Sequence, residues 1–111
     1  MGSTLDNLKE AFAGESQANR KYLAFAKKAD EEGHPQVARL FRAAAAAETV
    51  HAHNHLNVIG AVGSTLDNLK AAYEGEHHEF TKMYRESLEK AKSEGNHAAL
   101  QTFQCANEVQ Q

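Results

Sequence analysis

Cysteine occurs once in these 111 residues, at Cys105, and proline once, at Pro35. A lone thiol excludes an intrachain disulfide framework and a cysteine-rich metal knot, so Cys105 reads as a small helix residue. Valine and isoleucine are scarce while Ala, Glu, Lys, Leu and Gln abound, so the composition points to helices and no segment reads as a strand. Nor is any apolar run long enough to span a bilayer. The opening residues Met1-Gly2-Ser3-Thr4-Leu5-Asp6 lack a basic cluster and an apolar stretch, which leads to the expectation of a soluble, cytoplasmic protein. Twelve Lys and Arg residues are scattered among 15 acids, and the net charge of -3 offers no basic field for nucleic acid. The length suits one small domain.

What is present is a repeat. Gly2-Ser3-Thr4-Leu5-Asp6-Asn7-Leu8-Lys9 recurs letter for letter as Gly63-Ser64-Thr65-Leu66-Asp67-Asn68-Leu69-Lys70. The match continues to Gly14-Glu15 against Gly75-Glu76. After a slip of one residue it resumes, pairing Tyr22 with Tyr84, Glu32-Gly33 with Glu94-Gly95 and Phe41 with Phe103. Each half is therefore expected to be one helical hairpin, about residues 3–60 and 64–111. Ser3 or Thr4 caps the first helix and Gly33 ends it; Pro35 opens the second and Gly60 closes it. Ser64 or Thr65 caps a third helix running to about Gly95, and Asn96 caps a fourth that the chain end leaves short.

Apolar residues at three-to-four spacing give each of the first three helices an inward stripe, and a glutamate interrupts every one. Glu15 follows Leu5, Leu8 and Phe12 on the first, Glu48 follows Phe41 and Ala44 on the second, and Glu76 follows Leu69 and Tyr73 on the third. An ionised carboxylate buried without a partner costs several kcal/mol, so three inward glutamates call for protons, cations or metal. Lys and Arg are absent from the stripes near them. All three lie about a dozen residues into their helices and so reach a similar height. Glu48 and His51 share a face at i, i+3, and a carboxylate beside an imidazole suits iron or manganese. Glu79, one turn beyond Glu76, is a further candidate. A lone Glu-x-x-His is usually a solvated surface pair; the matching glutamates lift this one above that reading. His55 continues the stripe one turn on and either joins the ligands or reaches solvent near the helix end. His34, His53, His77, His78 and His97 read as surface residues, and the Phe and Tyr residues first of all as packing.

At these residues the sequence resembles rubrerythrin over essentially its whole length. The matching stretches are Ala13-Gly14-Glu15-Ser16-Gln17-Ala18-Asn19-Arg20-Lys21-Tyr22, Ala47-Glu48-Thr49-Val50-His51 and Glu74-Gly75-Glu76-His77-His78-Glu79-Phe80-Thr81-Lys82-Met83-Tyr84. The resemblance implies an all-α, ferritin-like four-helix bundle that reduces hydrogen peroxide at a two-iron site, other divalent metals being possible occupants. It implies Glu15, Glu48, His51, Glu76 and Glu79 as ligands, with one iron shifting between His51 and Glu79 as its oxidation state changes. Tyr22 and Tyr84 match tyrosines that hydrogen-bond to ligand carboxylates.

The pattern is not complete. The family carries a second Glu-x-x-His on its fourth helix; here the repeat sets Gln110 against Glu48, and the counterpart of His51 falls beyond Gln111. A rubredoxin module needs four cysteines, so electrons are expected from an external donor such as a rubredoxin-like protein. Ferritin-like bundles also run the second and third helices parallel, which needs a link of about 35 to 40 Å. The six or so residues around Gly60-Ala61-Val62-Gly63 reach only about 20 Å. A plain up-down-up-down bundle, a pairing of two first hairpins and a domain-swapped homodimer all escape this conflict. The swapped dimer, with Glu15, Glu48 and His51 facing Glu76 and Glu79 of the other chain, is the expected arrangement. The alternative to an enzyme is a helical scaffold that keeps the ligands without turnover.

Overall fold

The computed structural model describes residues 2–110, without the side chains of residues 109 and 110. Among these residues no strand forms. The order is α1 (Thr4–Glu31), α2 (Pro35–Ile59), α3 (Thr65–His78), a π-helical turn (Glu79–Met83), α4 (Tyr84–Ser93) and α5 (His97–Gln110). The π turn joins α3 to α4 without a gap, so the chain forms four helical rods, as expected.

The boundaries follow from local chemistry. Ser3 Oγ accepts the Asp6 N–H at 3.1 Å while the Ser3 N–H donates to the Asp6 carboxylate at 3.2 Å, a reciprocal cap that starts α1. The repeated letters rebuild half of the device at α3, where Ser64 Oγ accepts from the Asp67 N–H at 3.1 Å. Pro35 opens α2, where its missing N–H goes unnoticed. α1 ends because Gly33 adopts φ 80, a left-handed conformation that a side chain resists. That turn lets Gly33 N–H reach the Asp30 carbonyl at 3.1 Å and His34 N–H the Ala29 carbonyl at 2.8 Å. Asn96 caps α5 by accepting the Ala99 N–H at 3.0 Å.

The chain divides into two compact units, residues 1–62 and 63–111, each one hairpin. In the first, α1 and α2 meet through small residues: Ala26, Ala29, Ala38, Ala45 and Ala52 are buried, with Phe41 packed against the first three. Alanines allow the two axes to approach closely. Ala91 has the same role in the second unit. The larger apolar residues of the expected stripes remain open, Leu66 at 62% and Tyr73 at 69% exposure among them. A two-helix hairpin buries only the line along which its helices touch, so the broader apolar faces stay uncovered within each unit. The two hairpins nonetheless repeat one packing motif. Tyr22 lies against Phe41 with ring centroids 6.1 Å apart, and its repeat mate Tyr84 lies against Phe103 at 6.2 Å.

The π turn explains the slip in the repeat. Seven positions separate Glu15 from Tyr22, but eight separate Glu76 from Tyr84. In a regular α-helix the extra residue would rotate everything after it by about 100°. Instead the helix widens by one residue: Tyr84 N–H bonds to the Glu79 carbonyl five positions back. At the same turn the Thr81 hydroxyl donates to the His77 carbonyl at 2.8 Å. Tyr84 thereby keeps the side of its helix that Tyr22 holds in the first hairpin. If the turn is an absorbed insertion, deleting Thr81 should give an uninterrupted α-helix. Helical circular dichroism should persist and the melting temperature should stay level or rise; loss of cooperative unfolding would count against this account.

Candidate metal centre

α1 contributes Glu15 and Asn19 to one stretch of the first hairpin, and α2 contributes Ala45, Glu48, Thr49, His51 and His55. Asn19 fixes the register between them. Its Nδ2 donates to the Ala45 carbonyl at 2.8 Å and to Thr49 Oγ1 at 2.7 Å, while the Thr49 hydroxyl donates to the same carbonyl at 3.1 Å. With Asn19 one turn after Glu15, and Ala45 and Thr49 bracketing Glu48, this tie holds the two glutamates level. Sequence reasoning gave neither Asn19 nor Thr49 a task of its own. The signal was an amide at a position where its neighbours are apolar.

Glu15, Glu48 and His51 each offer a ligand atom within 4.8 Å of the others. His51 Nδ1 stands 3.2 Å from Glu15 Oε1 and 3.9 Å from Glu48 Oε2. Both glutamates are half-buried, their side chains 27% and 22% exposed, while that of His51 is 52% exposed. The ion-pair partners of these carboxylates are imidazoles, with neither Lys nor Arg among those described. One further atom tests whether the group suits a cation. Glu15 Oε2 is sealed from solvent and accepts no hydrogen bond, although His55 Nε2 lies 2.5 Å away. The short contact is close in distance but has no N–H directed at the oxygen. Such an oxygen is costly to bury alone, and a bound cation would satisfy it. Two carboxylates and an imidazole are also the mixed oxygen and nitrogen set that first-row transition metals take.

The other expected ligands belong to the second hairpin. Glu76 is exposed on α3, and Glu79 opens the π turn half-buried. Tyr22 packs in an aromatic cluster with Phe25 and Phe41, and Tyr84 packs on Phe103. Gln110 closes α5, but its side chain lies outside the described residues.

Comparison with known proteins agrees with this reading. The family model described as Rubrerythrin matches residues 6–109. The chain is 40% identical to rubrerythrin-2 of Clostridium acetobutylicum, covering 96% of this chain and 66% of that protein. It is 41% identical to nigerythrin of Nitratidesulfovibrio vulgaris, covering 93% of this chain and 58% of the relative. It thus spans about three fifths to two thirds of the length of these curated relatives. The rubrerythrin-2 match extends over 121 aligned positions yet takes up 96% of 111 residues, about 107, so about 14 positions have no counterpart here. Among solved structures, nigerythrin in a fully reduced, all-ferrous state superposes with a TM-score of 0.53 at 38% identity, covering 99% of this chain and 61% of that one. That likeness assigns the helices to a ferritin-like fold. The sequence match, the helical hairpins and the carboxylate–imidazole group lead to one conclusion: the chain belongs to the rubrerythrin family.

Proposed function

We propose that this chain is a non-haem iron protein that reduces hydrogen peroxide to water at a two-iron carboxylate site. The observation that carries the reading is the convergence of Glu15, Glu48 and His51 around a carboxylate oxygen that has no hydrogen bond. Family membership supports the choice of iron and of redox chemistry. In this reading Glu15, Glu48, His51, Glu76 and Glu79 hold the metal. Iron held there would supply the two electrons that, with two protons, convert one peroxide molecule into two of water.

The chain's own residues set the conditions. Glu48 lies one turn from His51 and at the height of Glu15, where its carboxylate can span two ions. Asn19 keeps α1 and α2 in register beneath it. Glu79 sits where the helix is widest, and a widened turn gives a side chain room to change position. Tyr22 and Tyr84 act as donors to ligand carboxylates and hold their orientation. Reducing equivalents are assigned to a donor of rubredoxin type; the 111 residues themselves hold one cysteine. No helix among the described residues is long and apolar enough to cross a membrane.

The same reading makes the working unit a homodimer with exchanged hairpins. Only five residues, Gly60 to Ser64, separate α2 from α3, a reach of about 17 Å. A parallel second and third helix would need a link about as long as α2, roughly 38 Å. The first hairpin would therefore pack on the second hairpin of the partner, bringing Glu15, Glu48 and His51 to the partner's Glu76 and Glu79. The apolar faces left open on both hairpins favour such association. A second reading, a scaffold that binds metal without turnover, is favoured by Gln110 standing where the repeat sets the mate of Glu48.

Two experiments decide. The purified chain loaded anaerobically with ferrous iron should be oxidised by stoichiometric peroxide, followed by ferric absorption, and the iron content of Glu48→Ala should fall to background. Excess iron at about 100 times its Kd should raise the unfolding free energy by about 2.7 kcal/mol in the native sequence and not in the variant. Iron that binds but ignores peroxide would leave the scaffold reading standing. For the assembly, light scattering should find dimers, and about 14 flexible residues inserted after Ala61 should convert them to monomers. A native chain that is monomeric would rule out the exchange.

A further inference from the structure

His55 stands one helical turn beyond His51 on the same face of α2, and the two imidazoles approach different oxygens of one carboxylate. His51 Nδ1 is 3.2 Å from Glu15 Oε1, and His55 Nε2 is 2.5 Å from Glu15 Oε2. His55 is the more covered of the pair, its side chain 29% exposed against 52%. The oxygen it faces is closed to water and takes no hydrogen bond. Two electron-rich atoms thus converge with no hydrogen bond directed between them, an unfavourable contact unless a positive charge intervenes. Carboxylate and imidazole ligands with bonds of about 2.1 Å lie about 3 Å apart on one ion. Both nitrogen–oxygen pairs are spaced that way to within about half an ångström. Glu15, Glu48 and His51 form one close set of ligand atoms, and His55 joins it through Glu15 alone, which marks a neighbouring position.

We propose that His55 is the nitrogen ligand of a second metal position in the first hairpin, with Glu15 bridging the two positions through its two oxygens. The proposal rests on the reading of this hairpin as a metal site. It makes that site richer in nitrogen than a single Glu-x-x-His allows, and it lets one hairpin begin to hold two ions by itself. The preferred cation is a divalent transition metal that accepts mixed imidazole and carboxylate donors.

Cobalt(II) is the probe, since it reports its ligands through paramagnetically shifted proton resonances. The full chain, freed of metal and titrated with cobalt(II), should show two shifted, solvent-exchangeable imidazole N–H signals. His55→Gln should lose one signal and bind its last cobalt ion at least about tenfold more weakly. His51→Gln should lose the other, and His53→Gln, altering an exposed histidine outside the ligand group, should keep both. Circular dichroism of the metal-free variants establishes that each remains helical. One signal in the native protein, with His55→Gln binding cobalt as tightly as before, would overturn the proposal while leaving the site at Glu15, Glu48 and His51 intact. Failure of the native chain to bind cobalt or iron would overturn both this proposal and the metal reading beneath it.

Discussion

Two glutamates held half out of water with only imidazoles for company constrain most of what surrounds them. A carboxylate in that position is unfavourable without a compensating positive charge, and the first hairpin is organised to keep it there. Alanines draw α1 and α2 close enough for side chains of different helices to meet, and Asn19 ties the register so that Glu15 and Glu48 meet at one height. The arrangement makes sense only if something cationic is expected. An ion held by these carboxylates would also join the helices bearing them, which would couple metal binding to folding.

Much of this was legible in the letters. Ser3, Gly33, Pro35, Gly60 and Asn96 mark helix ends by backbone chemistry that needs no tertiary context, and each acts as expected. The glutamate interruptions pointed to Glu15, Glu48 and Glu76 and the i, i+3 spacing to His51; of these Glu15, Glu48 and His51 converge within the first hairpin. Burial was harder to read. Three-to-four spacing reports the face a helix turns inward in its complete environment, and Leu66, Leu69 and Tyr73 have that spacing while remaining exposed in their own hairpin. The alanines that make the actual helix contact carry little hydrophobic signal. His55 was left between ligand and solvent because pattern alone gives no distance; the 2.5 Å approach to Glu15 depends on how far α1 lies from α2.

The one-residue slip in the repeat was visible, but its meaning was not. A gap in an alignment is silent about whether the extra residue loops out, shifts the register or widens the helix. Here Glu79 heads the widened turn, and Tyr84 returns to the side of the helix that its repeat mate occupies. The surplus residue is therefore absorbed without disturbing the packing that follows it.

The two halves of the repeat have consequently diverged in donor chemistry while conserving their frame. The first hairpin places His51 and His55 beside its carboxylates. The second carries Glu76 and Glu79, and its His77 is stacked on Tyr73 at 5.7 Å. Imidazole nitrogen suits the softer ferrous ion, and carboxylate oxygen the harder ferric one. The difference in donors arises from a few substitutions in otherwise repeated helices.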